Sequence, residues 1–311
     1  DKTGTLTQNR MTVSHIFYNR KTVDAGVNVQ QHERNLEKEK PDDKIIIGYD
    51  HKEDAFQEMV KAIVLGTYTY FSYTPTDDEV KQLHARMQKI PVANLEGTTL
   101  PETVVKDCRA RLMAAEKRML YIHRHCKGDA SETGLVQFAQ SVMDLDETRA
   151  KYPTYTYQDA AGKDMECLIP FSSDIKFNLF IRDMNKESDG ANIDDNLCVF
   201  MKGAPERILS RCTKMLVEGE EVDFDQELRD EVNKANSDFG KLGERVLAFA
   251  RYRLPTEKYK KGEYKFDVKT WKNWGLDAKQ HSDAYENVEG SFPMNDLCLI
   301  GVVSLNDPPR P

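Results

Sequence analysis

The sequence predicts an α+β fold built on a twisted, mainly antiparallel β-sheet that helices flank. Six apolar runs have the length and composition of buried strands, at residues 11–17, 165–171, 177–182, 197–201, 246–254 and 297–305. Most of these runs are close neighbours with short connections, which favours antiparallel pairing, because parallel neighbours need a crossover of a dozen or more residues. Helical patterns lie between the strands. Together, these observations argue for α+β rather than for repeated βαβ units.

The run at 177–182 is the clearest strand. Phe177, Leu179 and Ile181 alternate there with the residues between them, and this period of two is typical of a strand. The longest apolar run, at 297–305, has the length of a buried strand. It falls far short of the roughly 18–20 residues that cross a bilayer, so no membrane-spanning segment is predicted.

Three capping boxes predict where helices begin. They pair Thr76 with Glu79, Thr99 with Glu102, and Asp129 with Glu132. In such a box each of the two side chains accepts a hydrogen bond from the backbone amide of the other residue. We expect the first helix to continue to about residue 89 and the second to open a long helical stretch. The third helix carries its apolar residues on one face as far as Val142.

Composition excludes several classes of protein. The chain has 311 residues, of which 39% are hydrophobic, and a formal net charge of −8. It can therefore bury a sizeable core. Its acidic balance argues against a nucleic-acid partner, because such binders need a basic footprint. The six cysteines form no C-x-x-C pair, which excludes zinc ribbons and thioredoxin motifs and indicates free thiols in a reducing compartment.

Three polar or charged segments are interpreted as insertions or loops, at residues 34–43, 183–195 and 256–280. The last one mixes lysine with aromatic residues, as a platform for single-stranded nucleic acid does. In an acidic chain we favour a solvated surface loop.

The first seven residues, DKTGTLT, have the composition of a phosphate-handling turn. A carboxylate such as that of Asp1 can accept a phosphoryl group while a magnesium ion shields the charge. The threonine hydroxyls and the amides that Gly4 frees can hold phosphate oxygens. A shorter match, D-x-T, would be interpreted as an ordinary polar segment, but the full heptad is far more specific.

A second motif joins the strand 197–201 to a predicted helix. Lys202 stands at the end of the strand, Gly203 permits the turn, and Pro205 suits the first helical position. Helix N-termini attract anions, which makes Lys202 a candidate anion ligand. Strand-turn-helix junctions with lysine are common, so the motif alone leaves both a structural and a binding role open.

Phe171 and Lys176 flank a short polar loop between two predicted strands. If these strands form one hairpin, the two side chains come from its two sides and can face a single ligand. A phenylalanine at a strand end is more often part of the core. The alternative is that Phe171 contacts the same ligand as Lys176.

Two further residues have both a structural and a functional interpretation. Glu132 closes its capping box, contacts a ligand, or does both. Arg245 opens the strand 246–254 and is either a phosphate or ribose contact or half of an exposed ion pair. The paired prolines at 308–309 suit a stiff hinge, because they stop strand pairing.

These motifs resemble those of the P-type ATPases, within the haloacid dehalogenase superfamily. The resemblance rests on DKTGTLT at 1–7, GDASE at 128–132, IPFSSDIK at 169–176, MKGAPERIL at 201–209, LGERVL at 242–247 and NDPPR at 306–310. The motifs run in the family's order through the whole chain. Their sequences are most similar to those of the sodium/potassium and proton/potassium pumps.

The resemblance implies catalytic roles for the opening motif. Asp1 would become the aspartyl-phosphate, and Lys2 and Thr3 would complete the catalytic motif. Asp1 and Thr3 would also hold Mg²⁺. Hydrolytic members of the superfamily carry an aspartate two residues after the nucleophile, and general acid–base help of this kind contributes about 10²–10⁴ in rate. Thr3 cannot give that help near neutral pH, which favours a pump with a long-lived phosphoenzyme over a phosphatase.

The resemblance also implies an ATP site. Its residues would be Glu132 at the adenine end, Phe171 stacked on the base, Lys176 alongside, Lys202 with Gly203 at the phosphates, and Arg245 at a phosphate or the ribose. ATP and Mg²⁺ are the implied cofactors. Two alternatives stay open: a soluble phosphatase of the same superfamily, and a noncatalytic nucleotide-binding or interaction module.

The domain layout follows from the same resemblance. Residues 1–12 would begin a Rossmannoid phosphorylation domain like that of the haloacid dehalogenases, 13–303 would form the nucleotide-binding domain, and 304–311 the hinge back. Segments 69–126 and 256–290 are longer than that subgroup usually has. We expect a fragment that binds ATP but hydrolyses it negligibly. Its parent would lie in the plasma membrane, with this segment on the cytoplasmic face beside actuator, phosphorylation and transmembrane domains and a beta subunit.

Overall fold

A computed structural model describes residues 11–25, 49–50, 52–72, 126–184, 187–189, 192–194, 197–266 and 294–307, and the single positions 76, 78, 81, 82, 85, 102 and 106. The strands of this part of the chain are β1 Thr12–Tyr18, β2 Lys21–Asp24, β3 Tyr70–Phe71, β4 Cys126–Lys127, β5 Thr156–Gln158, β6 Asp164–Glu166, β7 Leu168–Ile169, β8 Phe177–Asp183, β9 Glu187–Asp189, β10 Asn192–Asp194, β11 Leu197–Gly203, β12 Cys212–Val217, β13 Glu220–Asp223, β14 Arg245–Arg253 and β15 Leu297–Asn306. The helices whose bounds are described are α1 Asp54–Leu65, α2 Ala130–Gln140, α3 Leu145–Lys151, α4 Pro205–Leu209 and α5 Gln226–Lys241.

The main sheet has nine strands, and β15 lies at its centre. The sheet runs β13-β12-β15-β14-β11-β8-β7, and the hairpin of β1 and β2 joins it through β15. The first residues of β15 pair in parallel with β12, whereas its later residues pair antiparallel with β1 along the same side. All other pairings in the sheet are antiparallel. The predicted α+β fold with a mainly antiparallel sheet is confirmed.

The sheet separates two hydrophobic cores. Val199 and Met201 of β11 point into the core that α4 and α5 cover. Cys198 and Phe200 point into the core that α1, α2 and α3 cover. Because successive side chains of a strand alternate between faces, Lys202 falls on the same face as Phe200, toward α1 and α2.

Each helix in this part of the chain is explained by its local sequence. Asp129 caps α2 by accepting hydrogen bonds from the amides of Ser131 and Glu132. Asp225 caps α5, whose buried side chains Leu228, Val232, Ala235 and Phe239 repeat at helical spacing. The α2 prediction is confirmed, whereas α1 and α5 were not predicted. The predicted helices 76–89 and 99–122 lie largely outside the described residues, and the described positions 78, 81, 82, 85, 102 and 106 are helical.

Two loop predictions need correction. The segment 183–195 contains a short hairpin, in which β9 pairs with β10. The described part of the segment 256–280 is not a solvated surface loop: Tyr259, Tyr264 and Phe266 are buried in the core on the α5 side. The hydroxyl of Tyr155 donates to the carbonyl of Tyr264 at 2.8 Å, which fixes this segment against the sheet.

Candidate functional site

The candidate residues meet at one end of the main sheet. Here β8 begins, β11 ends and β14 begins, because the three strands pair antiparallel. The registers place Gly203 beside Phe177 on one side and beside Ala248 on the other. Strand pairing therefore brings Lys176, Lys202 and Arg245 to the same end of the sheet, although they belong to three separate motifs.

Gly203 allows the strands to approach closely at this edge. A Cβ atom at this position would lie 2.4 Å from the carbonyl oxygen of Lys176 and 2.6 Å from the Cβ of Phe177. The same Lys176 oxygen accepts a hydrogen bond from the amide of Ala204 at 3.0 Å. Lys176 itself has a left-handed φ of 58°. The backbone of the second motif is thus locked to the end of the loop that carries Phe171.

The predicted hairpin of Phe171 and Lys176 is present, since β7 pairs with β8. The loop between them closes through a hydrogen bond from the Lys176 amide to the Ser172 carbonyl at 2.9 Å. The Phe171 side chain is 61% exposed, so it does not belong to the core. The Lys176 ammonium lies 3.9 Å from Glu206 and is half exposed. Both side chains are accessible to a ligand at the start of β8.

Lys202 is buried and forms an ion pair with Glu132 of α2. Their charged atoms lie 2.5 Å apart, and each side chain is 7% exposed. The other carboxylate oxygen of Glu132 accepts hydrogen bonds from the amides of Tyr68 and Thr69, at 2.8 and 2.9 Å, and from the Thr69 hydroxyl. Glu132 therefore does not close the predicted capping box, because both of its oxygens are bonded elsewhere.

The electrostatic balance keeps Glu132 charged. Burial by itself would raise the pKa of this carboxyl group, because it removes water from the charged form. The Lys202 ammonium and the two backbone amides outweigh burial and lower the pKa of Glu132 below its ordinary value of 4.5. The Glu132 carboxylate is therefore ionised at neutral pH, and the neighbouring Lys202 side chain compensates its charge.

Asn178 belongs to this site and was missed by the sequence reasoning. It is the register partner of Lys202 on β8 and is fully buried. Its side-chain nitrogen donates to the Gly66 carbonyl at 3.1 Å, whereas its amide oxygen has no hydrogen-bond partner among the described residues. The available signal was a polar residue opposite Lys202 in the strand 177–182, but the pairing that makes it informative comes only from the sheet.

Arg245 lies at the start of β14 on the α2 side. Its guanidinium donates to the Ser131 hydroxyl at 2.7 Å. Ser131 directly precedes Glu132, so the hydrogen bond connects the LGERVL motif at 242–247 to the GDASE motif at 128–132. The Arg245 side chain is otherwise exposed. Among the described residues, the recorded partner of this cation is a neutral hydroxyl, and not the carboxylate of the exposed ion pair that was one interpretation of Arg245.

Asp1, Lys2 and Thr3 lie outside the described residues, as do positions 308–311. Close to both of these segments, Thr12 of β1 is the register partner of Asn306 of β15. The part of the chain that is described holds no group of three His, Cys, Asp or Glu side chains that could bind a metal ion.

The arrangement suits a ligand that has both an aromatic ring and negative charge. Phe171 offers an exposed ring, and Lys176 and Arg245 offer exposed cations at the same end of the sheet. An exposed aromatic face can stack on a nucleobase of any identity. The residues therefore fit a nucleotide better than a simple phosphate.

Comparison with known proteins gives a consistent result. Residues 103–311 match the family model described as P-type ATPase, cytoplasmic domain N. Over the whole chain, the sequence is 29% identical to the sodium/potassium-transporting ATPase subunit alpha of Hydra vulgaris, where it covers 21% of the relative. It is 28% identical to the potassium-transporting ATPase alpha chain 1 of Xenopus laevis, again covering 21%. It is 30% identical to the sodium/potassium-transporting ATPase subunit alpha-2 of Gallus gallus, covering 22%.

The chain thus spans about a fifth of the length of the curated relatives it matches. Among the described residues, no helix is long and apolar enough to cross a membrane.

Proposed function

The chain belongs to the P-type ATPases, and from that premise we propose that it is the ATP-binding part of a cation pump. The observation that carries the proposal is the convergence of Phe171, Lys176 and the Lys202-Gly203 pair at one end of the sheet. Two separate motifs, at 169–176 and 201–209, supply an aromatic ring, cations and a close backbone approach there.

We propose the following arrangement for ATP. The adenine ring stacks on Phe171, with Lys176 alongside, and the phosphates extend toward the turn at Gly203. Arg245 approaches from β14 and contacts a phosphate or the ribose. Base–aromatic stacking contributes about 1–3 kcal/mol, which makes Phe171 the main source of affinity for the base.

Glu132 and Lys202 take different parts in this arrangement from the ones that their motifs suggested. Since Glu132 is buried and bonded to Lys202, it acts in the ligand-free chain as the counter-ion of the lysine. A phosphate that binds Lys202 has to compete with this carboxylate. We infer modest affinity for ATP, because part of the interaction energy replaces the internal ion pair.

The phosphorylation step is proposed for a pump that contains this segment. Asp1 would accept the phosphoryl group there, with Lys2 and Thr3 in the same motif and Asp1 and Thr3 holding Mg²⁺. ATP supplies the phosphoryl group, and Mg²⁺ neutralises the charge that develops on it. The adjacency of Thr12 and Asn306 supports this layout. Thr12 ends the segment 1–12 that we propose as the start of the phosphorylation domain, and Asn306 lies in the segment 304–311 that we propose as the hinge back to it.

The setting of the pump is part of the same proposal. The relatives are named as alpha subunits or alpha chains of sodium/potassium- and potassium-transporting ATPases. We propose transport of monovalent cations, a location at the cytoplasmic face of the plasma membrane, and contact with a beta subunit and with the actuator, phosphorylation and transmembrane domains. The isolated chain should hydrolyse ATP negligibly.

Titration of the 311-residue chain with ATP tests the proposed site. Calorimetry should show saturable heat, and NMR should show shifts at Phe171, Lys176 and Gly203. Lys176→Met should weaken binding, whereas Lys214→Met should not. Lys214 is the matched control because it is a similarly exposed lysine on β12, away from this end of the sheet. Absence of heat and of shifts would favour the noncatalytic interaction module.

A phosphatase assay addresses the other alternative. If the purified chain releases phosphate from a small phosphoester such as p-nitrophenyl phosphate, the soluble phosphatase gains support and the pump proposal fails. In a pump that contains this segment, Asp1→Asn should abolish the acid-stable phosphoenzyme that forms from γ-labelled ATP. Retention of that label would contradict the assignment of Asp1.

A further inference from the structure

A buried loop connects α1 to β3 and lies directly on Lys202. Gly66 faces Lys202: a Cβ atom built at Gly66 would lie 3.9 Å from the Cβ of Lys202. The amides of Tyr68 and Thr69 donate to Glu132, which in turn holds Lys202. We name residues 64–69, the last two residues of α1 together with the connecting loop, the Glu132 loop. This segment determines where the carboxylate and the ammonium lie.

Side-chain donors satisfy the carbonyl groups of this loop. Arg149 of α3 donates to the carbonyls of Val64, Thr67 and Thr69, at 3.0, 2.6 and 2.9 Å, and to the Thr67 hydroxyl. The two carbonyls between Val64 and Thr67 accept from Arg182, at 2.9 Å, and from Asn178. One guanidinium thus fixes three points of the loop, which suits the rigid fork of an arginine and not the single point of a lysine.

The contacts form one continuous path from Arg149 to Lys202. The Thr69 carbonyl accepts from Arg149, the Thr69 amide and hydroxyl donate to Glu132, and Glu132 accepts from Lys202. The charges agree with this path. Burial lowers the pKa of Arg149 to about 10, and the negative charge of Glu132 opposes that shift.

We propose that Arg149 is a positioning residue for the nucleotide site: through the Glu132 loop it holds the carboxylate that places the Lys202 ammonium. The inference rests on the proposed function for its consequence, namely that loss of Arg149 weakens ATP binding. Its structural part, the placement of Lys202, does not depend on ATP.

Chemical labelling without nucleotide tests the structural part. Lys202 of the full chain is acetylated with acetic anhydride under native conditions, and its rate relative to that of exposed Lys214 is measured by mass spectrometry. Arg149→Met should raise the relative rate about tenfold, the factor expected when a hydrogen bond to a charged group is lost. Arg229→Met is the matched control.

Arg229 suits this comparison because its guanidinium also donates to three backbone carbonyls, those of Leu209, Cys212 and Phe224. It belongs to α5 on the other face of the sheet. Both variants lose a partly buried arginine of the same kind, so general loosening would raise Lys202 labelling equally in both. Equal labelling in the two variants, or no increase in Arg149→Met, overturns the proposal.

A double-mutant cycle tests the path. If Arg149 acts through Glu132, Arg149→Met should leave Lys202 labelling and ATP affinity unchanged in the Glu132→Gln background. Additive effects contradict the proposal.

Where Arg149→Met does not fold, Arg149→Lys and Thr69→Val give the same two comparisons with smaller disruption. If labelling responds as expected but ATP does not bind to any form, the positioning role stands and the proposed function fails.

Discussion

The carboxylate of Glu132 lies 2.5 Å from the ammonium of Lys202, although 70 residues separate the two in sequence. Both belong to motifs that suggested contact with a ligand, yet in the folded chain they bind each other. The pair is buried between α2 and β11, where an unpaired charge would be costly. It therefore links the stability of the domain to the state of the nucleotide site.

The first prediction is a dependence of stability on pH that Glu132 causes. Its pKa is lowered in the folded chain, so the stability that it contributes is present above the ordinary value of 4.5 and is lost as pH falls through the folded-state pKa. Glu132→Gln should therefore be less stable at neutral pH, and its difference from wild type should shrink as the pH falls below 4.5 and through the folded-state pKa. Urea denaturation at several pH values measures this. A difference that stays constant with pH would contradict it.

The second prediction concerns the exposed ring of Phe171. Phe171→Ala should weaken ATP binding by about 1–3 kcal/mol, because the stacking surface for the base is lost. The melting temperature should hardly change, since the side chain is 61% exposed. Val222→Ala is the control, because Val222 is an exposed apolar residue of the edge strand β13. Calorimetric titration of both variants decides, and unchanged affinity in Phe171→Ala would refute the stacking.

The third prediction concerns the close approach at Gly203. A methyl group there would overlap the Lys176 carbonyl oxygen and the Cβ of Phe177. Gly203→Ala should therefore destabilise the chain by about 1–3 kcal/mol, as overpacking does. Gly240→Ala should stabilise it by about 0.5–1 kcal/mol, because a methyl group in α5 meets open space and alanine is the better helix former. Thermal and urea denaturation compare the two, and equal effects would count against a tight contact at Gly203.

The fourth prediction distinguishes a packed segment from a surface loop at residues 259–266. Phe266 is 1% exposed, so Phe266→Ala should cost about 3–5 kcal/mol, as other large-to-small substitutions in cores do. Tyr70→Ala should cost little, because that ring is 51% exposed. If both variants unfold at the same urea concentration as wild type, the segment does not contribute to the core.

Local sequence patterns predicted the strands that carry the site. Alternation in β8 and the apolar run of β15 are visible without a partner, and both strands begin at the predicted residue and end one residue later. The run predicted at 165–171 instead forms two short strands, β6 and β7, in different sheets. The cap at Asp129 is equally local, since the side chain and the amides that it binds are two and three residues apart. Such signals depend on near neighbours in the chain, and the sequence shows those directly.

Patterns of charge and polarity were less informative. The segment after Arg253 has many lysines, which suggested solvent, but its tyrosines and phenylalanine are buried. Whether a segment of this mixed composition is buried or exposed depends on whether the fold offers a cavity for its aromatic rings. The apolar helix α1 and the amphipathic helix α5 both have apolar residues at helical spacing, a signal that is visible in the sequence.

The sequence by itself determined the family, the strand pattern and the positions of Phe171, Lys176 and Gly203 at strand ends. Only the tertiary structure decided that Glu132 binds Lys202, that Asn178 lies beside that lysine, and that the Glu132 loop rests on Arg149. The reason is physical. Hydrogen bonds between buried polar groups depend on which distant elements pack together, because each buried group must find a partner within about 3 Å. A motif fixes the type of a side chain, but the partner it finds is fixed by the packing of α1, α2 and α3 on the sheet.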